Sequence, residues 1–246
     1  MLSVLPRHAH LYLTRSAAVL IEAGAVAFFG DGTNMEVRLT SCMSHARTRK
    51  INRLSVWLGG ALIEYGMLDE ISGKVSRNDI EILVRHQLME YGVSDSMMIA
   101  VGSPNRRRRR LWSAVSASVV DAVKTCIGAN NLRLLEVAPI LTGLCSNRPP
   151  MMKQDGVLVL VDRETSVAMT LAGREVTALS TFKLPSDVSG AHRSLERIAV
   201  GLDADAAVHA RILATASIAN GDLPEHWSRV QRPILKASLS TLEVIT

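Results

Sequence analysis

Aromatic residues are scarce: Phe, Trp and Tyr together make up 4% of the 246 residues. Proteins that bind single-stranded nucleic acid stack its bases on aromatic rings, so the scarcity counts against that class, and the core has to be built from Leu, Val, Ile, Ala and Met. Cysteine is rarer still. Cys42, Cys126 and Cys145 form no C-x-x-C pair and are odd in number, which fits a reduced cytosol rather than a disulfide framework. Cys126 and Cys145 fall within apolar helical patterns, where cysteine behaves as a small buried hydrophobe. No uncharged run reaches the roughly 18 residues of a membrane span, and the opening "MLSVLPRHAHLYL" has no apolar stretch of signal-peptide length before Arg7 and His8. The expectation is a soluble, cytoplasmic chain that meets a membrane peripherally or through a partner. Glycine-rich phosphate loops are also missing: Lys50, Lys74 and Lys183 belong to none, and Ser16 and Ser103 lack the G-x-S-x-G setting of a nucleophilic serine.

What is present is an ordinary globular composition, 48% hydrophobic and 21% charged, in a chain long enough for one large or two moderate domains. The net charge of +5 is local, because five of the 28 basic residues form one run, Arg106, Arg107, Arg108, Arg109 and Arg110. A whole-surface affinity for nucleic acid does not follow.

Residues 10–14 and 17–23 flank Arg15 and Ser16 as a hairpin. Residues 30–34, "GDGTN", read as a turn, and the alternation of 35–39 as a third strand. The basic stretch 44–53 reads as an exposed loop, and 54–58 as a strand ended by Gly59 and Gly60, which mark a bend or a close backbone contact. Ser76 and Asp79 form an S-x-x-D cap for a helix carrying Ile80, Leu83, Val84 and Leu88 and closed by Gly92. "SMMIAVG" reads as a short buried strand. Ser103-Pro104 then opens a helix with Leu111, Val115, Val119, Val123 and Ile127 on one stripe and Gly128 at its end. Residues 132–137 follow as a strand and 139–147 as a short helix. The pattern restarts after Pro149-Pro150 with strands at 157–161, 167–171 and 175–182, a helix at 191–200, a strand at 208–213 and a short irregular tail. The order β-β-β then α/β alternation occurs twice, an internal repeat of topology that predicts two lobes, residues 1–150 and 151–246.

Particular strings narrow this: "LPRHAHLYLTRSAAVLIEAG", "LSVWLGGALIEYGMLD", a helix ending in "MEYGVSD", the joint "LEVAPIL", and "GVLVLVDRETSVAMTLAGREVTALSTFKLP". In this order they resemble the actin-like cytoplasmic domain of the L component of type II secretion, the M component of type IV pilus assembly and the C protein of bundle-forming pili, over roughly residues 5–213. The resemblance implies an α/β, actin-like (ribonuclease-H-like) fold in two lobes. It also implies a scaffold beneath the bacterial inner membrane that links the assembly ATPase to membrane-anchored platform proteins. The absence of an apolar span sets the chain nearer the soluble M component than the L component.

Nucleotide chemistry on this fold needs glycine near the phosphates, so that main-chain N–H groups approach the anion, and a carboxylate in the first hairpin to organise metal and water. The hairpin at Leu13, Thr14, Arg15 and Ser16 has neither. The second keeps Asp162 but follows it with Arg163 and Glu164, and Ala216-Ser217 stand where nucleotide-binding members place paired glycines. Asp162 therefore reads as the vestige of a phosphate turn, and the expectation is a pseudo-ATPase with no cofactor, no metal and no catalytic residue. His8 and His10 share one strand face without a third ligand nearby and read as an edge-strand or surface pair. The five arginines are the partner-binding candidates. As a helix start they oppose the positive end of the helix dipole, and they are either a solvated charge run or the seat of an acidic protein surface or anionic headgroups. The alternatives are a small-metabolite kinase or ATPase of the same fold, and a peripheral membrane or nucleic-acid binder working through the arginines.

Overall fold

The computed structural model describes residues 7–22, 25–30, 34–71, 75–93, 96–141, 155–161, 165–173, 175–183, 211–214 and 228–229. The chain opens with β1 (Arg7–Leu13), β2 (Ala17–Glu22) and β3 (Ala25–Gly30), followed by helix α1 (Met35–Thr48) and β4 (Ile51–Leu58). Next come β5 (Ile63–Leu68), α2 (Arg77–Glu90), β6 (Met97–Val101), β7 (Arg110–Ser116), α3 (Ala117–Ala129) and β8 (Arg133–Pro139). A second series holds β9 (Gly156–Val161), β10 (Thr165–Ala172), β11 (Glu175–Lys183), β12 (Arg211–Ala214) and β13 (Ser228–Arg229).

These strands make two five-stranded sheets of the same design, in the orders β3-β2-β1-β4-β8 and β11-β10-β9-β12-β13. In each, an antiparallel meander supplies three strands and two more add in parallel beside the first. The expected repeat of topology is present in the structure. A three-stranded antiparallel sheet, β5-β7-β6, is inserted between β4 and β8 and carries α2 on one face.

Alternation on β1 sorts the first sheet into two faces. Ala9, Leu11 and Leu13 stand beside Leu54, Val56 and Leu58, and all six are buried. Phe29 shares this face through the register Leu13–Ala18–Phe29, and its ring lies 5.7 Å from that of His45, so α1 covers this side. From the second sheet, Leu158, Leu160, Val167, Met169 and Leu171 join the same apolar cluster. The two sheets therefore share one core. Their partners across β9 and β10, Val159, Val161, Ser166 and Ala168, are buried on the opposite face, so β9 and β10 are covered on both sides. That is why residues 157–161 read as a continuous apolar run.

α2 is bounded as its sequence predicts. Ser76 and Asp79 make a reciprocal capping box. At the other end Gly92, at φ 76°, lets Val93 N–H reach the Leu88 carbonyl and Gly92 N–H the Met89 carbonyl, both at 2.9 Å. Ile80, Val84 and Leu88 are buried, while Leu83 faces outward.

Four expectations are corrected. Residues 35–39 begin α1 instead of forming a third strand: the Asn34 side chain accepts from Val37 N–H at 2.9 Å, and Leu39, Cys42, Met43 and Ala46 are buried at helical spacing. The strand beside β2 is β3. Residues 44–53 are no loop, because they end α1 and start β4, turning at Lys50, a non-glycine residue at φ 59°. Leu111 and Val115 do not lie on the helix of Val119, Val123 and Ile127; they belong to β7, and α3 starts only at Ala117. β6 is also only partly buried, with Met98 and Ala100 exposed. The helix expected at 191–200, most of that at 139–147, and the boundary at Pro149-Pro150 lie outside the described residues.

Candidate functional site

The first hairpin is closed on itself. Thr14 is buried, its N–H donates to the Ala17 carbonyl at 2.8 Å, and its Oγ1 accepts from Ala17 N–H at 3.0 Å. Behind the turn, Arg38 of α1 is buried and its guanidinium donates to the Arg15 carbonyl. A cation supports this turn, where an organiser of metal and water would need a carboxylate. Gly59, at the end of β4, donates to the Leu13 carbonyl at 2.9 Å, and any Cβ there would strike the Tyr12 ring. Gly59 is thus the close backbone contact expected of it. Asp162, Arg163, Glu164, Ala216 and Ser217 lie outside the described residues. Just after Glu164 in the chain, Thr165 and Ser166 are buried, and Ser166 Oγ has no hydrogen-bond partner among the described residues.

His8 and His10 share one face of β1, but that strand is the centre of its sheet and not an edge. One ring nitrogen of each is engaged. His8 Nε2 lies 3.0 Å from Ser55 Oγ, and His10 Nδ1 accepts from Trp57 Nε1 at 3.1 Å. Burial, and secondarily the neighbouring His8, hold the His10 pKa below its usual value, with Glu136 opposing. Burial, with Cys126 as a lesser cause, pushes the Cys42 thiol up to about 12, which makes it a packing residue rather than a nucleophile.

Arg106 to Arg109 lie in the loop between β6 and β7 and Arg110 opens β7, so the run is not at a helix start and no helix dipole opposes it. Asn105 organises the loop. Its Oδ1 accepts from Arg107 N–H at 3.0 Å and Arg109 N–H at 2.9 Å, and its main-chain N–H donates to the Arg109 carbonyl at 2.8 Å. Arg108 takes the left-handed conformation at φ 56° that closes this turn. Arg106, Arg107 and Arg108 are exposed, whereas Arg109 and Arg110 are half-buried. Three of the five face carboxylates of this chain: Arg106 with Glu175 at 3.8 Å, Arg108 with Glu70 at 3.8 Å and Arg109 with Asp69 at 3.4 Å. Arg110 Nη1 donates to the Gly102 carbonyl at 3.4 Å. The run is a cationic knob, partly neutralised from below.

One surface had gone unnoticed in the sequence. Ile82 and Met89, two turns apart on α2, face away from the Ile80–Val84–Leu88 stripe and are 63% and 68% exposed, with Tyr91 exposed at the helix end. The signal was there: two large apolar residues seven apart on the face opposite a complete core stripe.

No protein-family model and no curated protein matches the sequence. Solved structures do match, over nearly the whole chain. The cytoplasmic domain of EpsL, an inner membrane component of the type II secretion system of Vibrio cholerae, is 12% identical, with a TM-score of 0.59 over 97% of this chain and 94% of that one. A Bacteroides thetaiotaomicron protein with an actin-like ATPase fold and unknown function is 6% identical, with a TM-score of 0.61 over 95% of each chain. A chain of the PilM–PilN type IV pilus biogenesis complex is 14% identical, with a TM-score of 0.59 over 91% of this chain and 88% of that one. Secretion and pilus proteins of the kind the sequence resembles therefore stand among its structural neighbours, and at such low identity what is shared is the fold. Two sheets of the same strand order over one core, matched end to end by these structures, give this chain the actin-like ATPase fold.

Proposed function

We propose that the protein is a non-catalytic scaffold of a type IV pilus or type II secretion assembly platform, acting in the cytoplasm at the bacterial inner membrane. Two lobes, 1–150 and 151–246, bridge the assembly ATPase and membrane-anchored platform proteins. The observation that carries this reading is the end-to-end fold match to the EpsL cytoplasmic domain and to a chain of the PilM–PilN complex. The self-closed first hairpin, with a buried arginine behind it, supports the absence of nucleotide chemistry. Among the described residues, no helix is long and apolar enough to cross a membrane, so on this reading the protein reaches the membrane through its partners. The test is in-cell crosslinking followed by purification of the tagged protein and mass spectrometry. Recovery of a secretion or pilus ATPase, or of a membrane-anchored platform protein, is the expected result; recovery of neither from a host that assembles the machine contradicts the reading.

A second reading is favoured by the exposure of Arg106, Arg107 and Arg108: a peripheral binder of anionic surfaces. It predicts sedimentation with phosphatidylserine-containing vesicles that weakens steeply with salt, whereas the scaffold reading predicts none without a partner.

A further inference from the structure

We infer that the loop between β6 and β7 is a clasp that fastens the inserted sheet to the edge of the second sheet, with Asn105 and Arg109 as its working residues. β11 is the last strand of its sheet, so one row of its main-chain groups has no ladder partner within the sheet. Its pairing with β10 is irregular: Leu171 faces Val176 while Thr170 faces Ala178, which leaves Thr177 as the extra residue of a bulge. The arginine loop engages the chain at this point. Asn105 Nδ2 donates to the Val176 carbonyl at 2.8 Å, and Arg109 Nη1 to the Thr177 carbonyl at 2.9 Å. Arg106 N–H donates to Glu175 Oε2 at 2.8 Å. Three consecutive residues of β11 are thus held by three residues of a loop that lies 68 to 71 positions earlier in the chain.

The chemistry divides the run into two faces. Asn105 uses its oxygen to build the loop and its amide nitrogen to dock it, so one side chain both forms and fastens the clasp. Arg109 spans from Asp69, just beyond β5, to Thr177, and is the least exposed arginine among the three ion pairs, at 35%. Its bond to a main-chain carbonyl is charge-assisted. Arg106 and Arg108 pair with their carboxylates at 81% and 69% exposure, where ion pairs contribute little. β5 also lies beside β11, with Glu64 close enough to Lys183 to feel its charge. The loop is the polar lock at one end of this seam.

The experiment is hydrogen–deuterium exchange of the full chain, comparing the parent with Asn105→Ala, Arg109→Gln and the control Arg107→Gln. A clasp predicts that exchange rises by about tenfold in peptides covering both 97–116 and 175–183, in both test variants and not in the control. Peptides covering 7–22 and 51–58 should keep the parent's rates. Arg109→Gln leaves the Asn105-built turn intact, so it separates undocking from loop collapse. If 175–183 exchanges as in the parent in both test variants, or if Arg107→Gln loosens it equally, the clasp is wrong.

Discussion

Trp57 Nε1 donates a hydrogen bond to His10 Nδ1 at 3.1 Å, across the parallel pair β1–β4. An acceptor nitrogen carries no proton, so His10 is neutral with its hydrogen on Nε2, and protonating Nδ1 breaks the contact. Burial and the neighbouring His8 already hold the His10 pKa below its unfolded value of 6.5, against the weaker opposing pull of Glu136. Between the folded and unfolded pKa the unfolded chain binds more protons, so stability rises with pH there and is level above 6.5. The parent should therefore lose stability as the pH falls from 7 to 5, and His10→Gln should lose less over the same interval. Urea denaturation at both pH values measures the difference; equal losses would show that His10 is not the titrating group.

Met169 is fully buried on the face of β10 that meets the shared core. Met169→Ala should cost about 2–5 kcal/mol, and the loss should appear in one cooperative transition because the two sheets share that core. A calorimetric trace with a separate early transition for the second sheet would contradict the single-core description.

Gly66 and Trp112 face each other across β5 and β7, and a Cβ at position 66 would overlap the indole. The indole is pinned, since its Nε1 donates to Gln87 Oε1 on α2 at 2.9 Å. Gly66→Ala should destabilise by about 1–3 kcal/mol, as overpacking does, and should shift tryptophan fluorescence. A fully parent-like melt and emission would mean that the inserted sheet has room it is not expected to have.

Much of this was legible in the sequence, for identifiable reasons. The hairpin at residues 7–22 and the triple strand at 157–183 read correctly because turn residues separate apolar runs too short for helices. α2 read correctly because both its ends carry their usual signals, a capping box and a glycine. α1 misled because it stops without a glycine, at Lys50 in the left-handed region at φ 59°, whereas α3 read correctly at its end near Gly128 and wrongly at its start. The stripe from Leu111 to Ile127 misled for a different reason. Spacing by four also satisfies a strand's period of two, so Leu111 and Val115 fit β7 as well as a helix. The arginines were found as a feature, but their inward partners, Val176, Thr177, Asp69 and Glu175, are set by tertiary structure that local pattern does not contain.

Arg106, Arg107, Arg108 and Arg110 can be replaced together by Gln with Arg109 kept. Exposed ion pairs contribute about 0–1 kcal/mol each, so melting should shift by only a few degrees. Capture of an acidic partner should be lost. Parent-like capture at parent-like melting would make the knob a solvated surface with no docking role.

The central claim is that an actin-like fold serves here without nucleotide. Isothermal titration of the full chain with Mg-ATP tests it most directly. The account predicts no heat of binding up to millimolar nucleotide, because the Thr14–Ala17 turn is closed on itself and backed by Arg38; a saturable isotherm with a micromolar dissociation constant would contradict it.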